Sequence, residues 1–185
     1  MRKRRIAVAC IAALMTVCLG MLAGCGPSSE EVIRDGVTQE LDGLKNQDDA
    51  AMAEIVSGAN MSGLEVYGLD ANEFMKAYLN GFDYRIDDVT VDGDKAQVTV
   101  VLTCKSFSAY EKALQDAADQ LMGDESFAEL DRSAMNQKIG ETVMTALAGI
   151  EPTETEPIVL DYELANNTWS PTASAERNIA GALLG

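Results

Sequence analysis

The sequence predicts an α+β protein with an antiparallel sheet, and three observations support that prediction. Residues 28–79 repeat apolar side chains at helical spacing, and residues 82–104 alternate apolar and polar side chains as a strand does. Alternation returns at residues 158–164, after a second helical stretch. Helices and strands that are grouped in this way favour α+β over a parallel α/β sheet.

The first 24 residues differ from the rest of the chain in charge and hydropathy. The chain opens MRKRR, and residues 6–23 contain no charged side chain. A basic start followed by an apolar run is typical of a secretory signal. The run lies at the short end of the roughly 17–25 apolar residues that span a bilayer, so its length alone does not exclude an uncleaved membrane anchor.

The apolar run ends at Leu22, Ala23, Gly24 and Cys25. This stretch resembles the lipobox of bacterial lipoproteins. The resemblance implies that the signal is cut between Gly24 and Cys25 and that the Cys25 thiol receives a diacylglyceryl group. It also implies a protein anchored in the cell membrane, on its extracytoplasmic face, by the acyl chains on Cys25. An uncleaved anchor and a plain secreted protein are the alternatives.

These features divide the chain into three segments. We expect residues 1–24 to be a lipoprotein signal peptide, residues 25–29 to be the lipidated cysteine with a short linker, and residues 30–185 to form one domain. Two acyl chains would hold this domain at the membrane far more firmly than one.

The charge of the chain restricts its partners. It contains 14 Lys and Arg and 30 Asp and Glu, for a formal net charge of −16. Four of the basic residues lie within residues 1–24, so the processed chain would carry ten basic residues and a formal charge of −20. Nucleic acids and anionic lipid headgroups attract clustered Lys and Arg, so we expect neither as a partner.

Cysteine usage predicts a processed protein without an intramolecular disulfide. Cys10 and Cys18 lie in the expected signal, and Cys25 would carry the lipid. Cys104 is then left without a cysteine partner. Its place in an alternating strand predicts a small core side chain.

Three helices are predicted before the first strand. Ser28 and Glu31 have the spacing of a capping box, and a second short helix should end near Gly58. Asp70 and Glu73 provide the start signal of the third helix. The first helix carries an apolar stripe formed by Ile33, Val37, Leu41 and Leu44.

The middle of the chain predicts a long, bent hairpin. Alternation in FDYRIDDVTV slips by one residue at Asp87 and Asp88, which predicts a β-bulge. DGDK supplies the turn, where Gly93 is free to adopt a positive φ. The return strand places one set of apolar side chains on a single face: Ala96, Val98, Val100, Leu102 and Cys104.

Two helices and a second hairpin are predicted in the last part of the chain. Ser108 should begin one helix, and Ser126 should begin a second that continues to about Leu147. A strand at residues 158–164 then turns at ANN into a shorter strand containing Trp169. The segment 175–185 is either a docked helix or a frayed tail.

This layout resembles the NTF2-like (cystatin-like) fold of uncharacterised Gram-positive lipoproteins. The resemblance rests on EEVIRDGVTQELDGLKNQDDAAMAEIV, YRIDDVTVDGDKAQVTVVLT and LANNTWSPT. It implies a cone in which helices cover one face of a bent antiparallel sheet. The helical stretch between residues 106 and 149 is longer than the simplest members of that fold require.

The same resemblance points to a candidate pocket. Some NTF2-like enzymes hold a buried acid or base and a tyrosine inside the cone. By position, the resemblance implies Tyr84, Tyr162 and Trp169 as pocket lining, with Asp83 as a neighbouring carboxyl. Core packing of these three aromatic rings is the alternative, since all three lie in alternating strands.

The residue types argue against most enzyme classes. The sequence contains no histidine, which removes the commonest general base and the commonest zinc ligand. The DGD turn lacks the bidentate glutamate of a calcium loop. A dyad of Asp87 and Asp88, or a weak cation site in the acidic loop 151–156, remains an alternative to solvated carboxylates. We therefore expect no catalytic residue, no metal site and no cofactor.

These observations lead to one expectation and two alternatives. We expect a non-enzymatic lipoprotein that binds a small apolar ligand or an envelope protein partner. An NTF2-like enzyme would instead need a buried carboxylate with a raised pKa beside a tyrosine. A structural component of the cell envelope would expose a contiguous apolar patch.

Overall fold

The computed structural model describes residues 27–58, 61 and 63–184. Three helices come first, and a 3₁₀ turn at Leu64–Tyr67 separates the second from the third. The elements in chain order are α1 (Ser29–Lys45), α2 (Asp49–Gly58), α3 (Ala71–Tyr78), β1 (Asp83–Asp92), β2 (Lys95–Cys104), α4 (Phe107–Met122), α5 (Glu125–Ala128), α6 (Arg132–Ala148), β3 (Thr153–Glu154), β4 (Ile158–Ala165), β5 (Thr168–Pro171) and α7 (Ala173–Leu184).

The strands form one open antiparallel sheet. Its order is β1-β2-β4-β5, and the short β3 also pairs with β2. This sheet, together with the helices before, between and after its strands, confirms the α+β class. The finer assignment to an NTF2-like cone stays a prediction.

The predicted bulge and turns are present. The register between β1 and β2 shifts between Ile86 and Asp88, so Asp87 is the extra residue of a β-bulge. Gly93 has a φ of 63° in the first hairpin turn, and Asn166 and Asn167 have φ values of 51° and 64° in the second. In the second turn both central residues have positive φ, which is the mark of the tight turn that matches the twist of paired strands.

Side-chain caps fix the helix starts that the sequence predicted. The Ser28 backbone N–H donates to Glu31 Oε2 at 2.7 Å, and the Glu31 backbone N–H donates to Ser28 Oγ at 3.2 Å. Asp70 Oδ1 accepts from the backbone N–H groups of Asn72 and Glu73. These bonds satisfy donors that have no partner within the helix.

Two predictions for the later helices are wrong. The N-cap of α4 is Ser106 rather than Ser108, because Ser106 Oγ accepts from the Ala109 backbone N–H. The single helix predicted from Ser126 is two helices, α5 and α6. Asp131 separates them because it is the N-cap of α6: its carboxylate accepts a hydrogen bond from the Ala134 backbone N–H at 2.9 Å.

One face of the sheet forms the core. The β2 residues predicted to share a face are all buried, and Cys104, at 6% exposure, is confirmed as a core side chain. Their partners on β4 point the same way, since Val98 pairs with Leu160 and Ala96 with Tyr162. Helices α1, α2, α3 and α7 contribute to the same cluster through Val32, Ile33, Val37, Leu41, Leu44, Ala51, Met52, Met75, Tyr78, Ala175, Ile179 and Leu183.

The last segment is a docked helix. Ala175, Ile179 and Leu183 of α7 are buried, at the spacing of one helix face. The Tyr78 hydroxyl donates to the Leu183 carbonyl at 2.6 Å. Because α7 meets α3 as well as the sheet, it closes one side of the core.

A buried lysine joins the end of β2 to the end of α6. Lys105 is 3% exposed, and its Nζ donates to the Leu147 carbonyl at 2.8 Å. Burial lowers the pKa of Lys105. A cation beside the last carbonyls of a helix is favourable, because those carbonyls have no partner within the helix and carry partial negative charge.

Two glycines in helices give a matched test of packing. A Cβ added at Gly140 of α6 would overlap the Tyr67 carbonyl oxygen, whereas a Cβ at Gly181 of α7 would meet nothing within 4 Å. We expect Gly140→Ala to lower the free energy of unfolding by about 1–3 kcal/mol, because the 3₁₀ turn must move. Gly181→Ala should raise it by up to about 1 kcal/mol, as alanine favours helix. Urea unfolding measures both, and equal effects would contradict the close contact.

Candidate functional site

Among the described residues, Glu40 is a half-buried carboxyl group at the edge of the core that the sequence patterns above do not single out. Glu40 lies on α1 between the buried residues Val37 and Leu41, is itself half-buried, and interacts electrostatically with Tyr162 of the sheet. Its Oε2 is buried and has no hydrogen-bond partner among the described residues. A buried acceptor without a partner lowers the stability of the folded protein by about 1–3 kcal/mol, so packing alone does not account for a carboxyl group at this position.

The surroundings of Glu40 keep it protonated. Two effects raise the pKa of Glu40 from 4.5 to about 8. The larger is burial, and the smaller is the charge of the nearby Glu54 carboxylate on α2. Both effects act in the same direction, because each disfavours the charged form. At neutral pH Glu40 is therefore mainly a neutral carboxylic acid, able to donate a proton or a hydrogen bond.

Tyr162 and Trp169 lie on the face of the sheet that Glu40 approaches. Each is 1% exposed. Trp169 pairs with Leu164 across β4 and β5, so it lies on the same face as Tyr162 and diagonally across from it. Burial, with a smaller contribution from the charge of Glu40, raises the pKa of Tyr162. The Trp169 Nε1–H is buried without a partner among the described residues.

The other aromatic residue of the predicted pocket has a different role. The Tyr84 hydroxyl lies 2.7 Å from Asp42 Oδ1 and 3.2 Å from the Thr38 carbonyl oxygen, so it fastens β1 to α1. Burial and the bond to Asp42 raise the pKa of Tyr84 to about 12. The Lys45 ammonium lies 5.9 Å from the ring centroid. Tyr84 thus braces the edge of the sheet.

The predicted neighbouring carboxyl, Asp83, is not the buried one. Its Oδ1 lies 2.7 Å from Lys45 Nζ, and its side chain is 52% exposed. The hydrogen bond from Lys45, followed by that from the Tyr84 backbone N–H, lowers the pKa of Asp83. The carboxyl with a buried oxygen in this half of the molecule is that of Glu40 instead.

A sequence signal for Glu40 was available. Residues 33, 37, 40 and 44 are separated by four, three and four positions, which places them on one helix face. Glu40 therefore interrupts the apolar stripe of the first helix. A charged residue in such a stripe predicts a buried acid. The predicted stripe of Ile33, Val37, Leu41 and Leu44 does not include this acidic member.

The acidic residues considered as metal ligands lie apart or in ion pairs. Arg85 Nε lies 2.6 Å from Asp87 Oδ1, and Arg85 Nη1 lies 3.2 Å from Glu154 Oε1. Across residues 27–58, 61 and 63–184, no group of three or more Asp, Glu or Cys side chains is placed to hold a metal ion.

An open groove crosses the polar face of the sheet. It has a volume of about 540 Å³ and is bordered by β2, β4 and the start of α7. Asp161 lies in it and accepts from Gln97 Nε2 at 2.8 Å and from Ser174 Oγ at 3.2 Å. Because donors of the protein itself satisfy this carboxylate, Asp161 serves to join β2, β4 and α7.

A second groove runs between α4 and α6 and has a volume of about 630 Å³. Its lining is more apolar than that of the sheet groove, and four of its residues have small side chains: Ala113, Ala117, Ala146 and Gly149. This groove belongs to the long helical stretch that the simplest NTF2-like pattern does not require.

The predicted lipid attachment site lies outside the described residues. Gly24 and Cys25, with the rest of the Leu22–Cys25 stretch, are therefore assigned from sequence alone. In the described part of the chain, no helix combines the length and the apolar character needed to cross a membrane.

The similarity of this chain to known proteins is weak. No protein-family model matches it, and no curated protein matches it. It is similar to the crystal structure of "a putative lipoprotein (ycdA)" from Bacillus subtilis subsp. subtilis str. 168, with 12% identity and a TM-score of 0.48. The match covers 100% of this chain and 57% of that one, so this chain spans less than two thirds of that protein. A similarity of this size assigns neither family nor function.

The raised pKa of Glu40 predicts how stability changes with pH. The unfolded chain releases this proton near pH 4.5 and the folded chain near pH 8. The stabilising contribution of Glu40 is therefore complete below pH 4.5 and is lost as the pH rises to about 8. The side chain of Glu40→Gln cannot ionise, so this variant avoids the loss. As the pH rises from 4.5 to about 8, its free energy of unfolding should increase by roughly 2–4 kcal/mol relative to that of the wild type.

Urea unfolding at several pH values between 4 and 9 measures this difference. Glu30→Gln removes an exposed carboxyl from the same helix and serves as the matched control. A difference between Glu40→Gln and wild type that is independent of pH would contradict the buried, protonated carboxyl.

Proposed function

We propose that this protein is a lipoprotein of the cell membrane whose acidic domain, held at the extracytoplasmic face through Cys25, binds another envelope protein without catalysing a reaction. The observation that supports the anchor is Leu22, Ala23, Gly24 and Cys25 at the end of an uncharged run with a basic start. Two acyl chains on Cys25 would suffice for stable attachment.

The residue inventory supports binding rather than catalysis. The whole sequence has no histidine, and Cys104 is buried in the core. Burial also raises the pKa of the Cys104 thiol, which disfavours the reactive thiolate. The commonest nucleophile and base arrangements are therefore not available to this chain.

The packing of the core favours a protein partner over a small apolar ligand. Two of the three residues predicted to line a pocket, Tyr162 and Trp169, are each 1% exposed, although Tyr162 also borders the open sheet groove. Both grooves described above are open to solvent rather than enclosed. Small-molecule sites usually enclose most of the ligand surface, whereas protein partners bind open surfaces.

An enzyme is the second candidate, and one observation favours it. Glu40 is a buried carboxyl with a pKa of about 8 and interacts electrostatically with Tyr162. Perturbed carboxyl groups cluster at catalytic sites, where a pKa near the working pH suits proton transfer. In this role Glu40 would be the general acid or base, and Glu40→Gln would abolish a reaction while leaving partner binding unchanged.

The anchor is tested by the mass of the protein extracted from its host membrane. We expect a chain that begins at Cys25 and carries a diacylglyceryl group. Cys25→Ser should retain residues 1–24 and lack the lipid. Cys18→Ser, which removes a thiol from the apolar run, should be processed as wild type. Intact mass spectrometry distinguishes these forms, and wild-type protein that retains residues 1–24 would overturn the lipoprotein proposal.

A further inference from the structure

We infer that the groove between α4 and α6 is the docking site for a basic amphipathic helix of the partner protein. This inference deepens the proposed function and rests on it, because it assigns the partner-binding surface of the same domain. Three features of the helical layer α4–α6, residues 107–149, support it: its incomplete burial, the shape of the groove and the charge around it.

The helical layer buries few of its own side chains. In residues 107–149 the buried residues are Tyr110, Gly140 and Leu147. Met122 is 75% exposed. Other apolar residues of the layer are half-buried and lie outside the main core: Leu121, Phe127, Leu130, Met135, Ile139 and Met144. Of these, Leu121 lines the groove and the others lie on the rest of the layer. An amphipathic helix normally covers its apolar stripe, so this layer has apolar surface left to bury.

The groove has the form that accepts a helix. Ala113 and Ala117 border it from α4, and Ala146 and Gly149 border it from α6. Small side chains on facing helices leave room for the larger apolar side chains of a third helix. Leu121 and Ile150 also line the groove and offer apolar contacts. Insertion of an amphipathic helix into such a groove is a common mode of protein recognition.

The charge around the groove selects a basic occupant. Residues 107–149 contain eight Asp and Glu and three Lys and Arg. Asp116, Asp124 and Glu141 line the groove itself, together with Lys138. Cationic side chains that flank the apolar stripe of a partner helix would meet these carboxylates, which steers and orients the encounter.

The existing ion pairs do not block such a partner. Lys112 Nζ lies 2.7 Å from Asp116 Oδ2, and Lys138 Nζ lies 3.9 Å from Glu141 Oε2. All four side chains are more than half exposed. Exposed pairs of this kind contribute on the order of 0–1 kcal/mol, so the cations of a partner can replace them.

The same charge argues against other occupants. A second copy of the processed chain would bring a formal charge of −20 to an acidic surface. Repulsion between like charges disfavours that contact, and it equally disfavours an anionic membrane surface. A basic amphipathic helix matches both parts of the groove, because its apolar stripe fits the apolar lining and its cations fit the carboxylates.

The test uses the full-length protein in phosphatidylcholine nanodiscs and a synthetic 18-residue helical peptide with a short Leu stripe flanked by Lys and Gln. Fluorescence anisotropy of the labelled peptide measures the Kd, with protein-free nanodiscs as the background. We expect saturable binding, and at least tenfold weaker binding by Ala117→Phe, which fills the groove, and by Glu141→Lys, which reverses a charge in it. The matched peptide with Glu in place of Lys should not bind.

Glu111→Lys is the control, because Glu111 is exposed on α4 and does not line the groove. It should change the Kd by less than twofold. Circular dichroism and urea unfolding verify that each variant is folded. Equal binding by all variants, or binding that matches the protein-free nanodiscs, would overturn the inference. So would a dimer in sedimentation that Ala117→Phe dissociates, since the occupant would then be a second copy.

Intact mass analysis of the same samples separates this inference from the proposed function. Protein that carries the lipid on Cys25 but does not bind the peptide overturns the docking site alone. Protein that binds the peptide but retains residues 1–24 overturns the lipid anchor and leaves the groove as a binding site.

Discussion

Burial of a single face of the β2–β4 strand pair is the constraint on which the rest of the structure depends. Val98, Val100, Leu102 and Leu160 have no exposed surface. Because side chains alternate along a strand, fixing these residues inward forces their neighbours outward, and the opposite face can remain polar. Helices α1, α2, α3 and α7 must then cover the inner face, which accounts for their shared core and for the docking of the carboxyl-terminal segment.

Among the described residues, Glu40 is the carboxyl side chain that has a buried oxygen without a hydrogen-bond partner. Its pKa of about 8 means that the fold accommodates a neutral acid at physiological pH and loses stability as that acid ionises. A hydrophobic or amide side chain at this position would avoid the loss, so packing alone does not explain a carboxyl there. Positions that break the rule of burying apolar or hydrogen-bonded groups are often functional, so Glu40 is the basis for the enzymatic role as the second candidate.

Patterns of neighbouring residues predicted the turns and the bulge, because these features are determined by the residues that form them. Gly93, Asn166 and Asn167 predicted the two turns, and the slip at Asp87 predicted the bulge. The break between α5 and α6 was missed because the Asp131 cap competes with a helical pattern that is otherwise continuous. The resemblance placed Asp83 beside the candidate pocket, but Asp83 forms an ion pair with Lys45 that depends on how α1 meets β1, a long-range contact that spacing along the chain does not report.

The molecule combines a dense core with an incompletely buried helical layer. Our central claim is that this layer, which we propose as the partner-binding surface, is the less stable part. Hydrogen–deuterium exchange of the full-length protein tests it most directly, since opening free energies differ between such units. We predict the slowest exchange in β2 and β4 and clearly faster exchange in α4 and α6. Equal protection of the two regions, or slower exchange in α4 and α6, would contradict the claim.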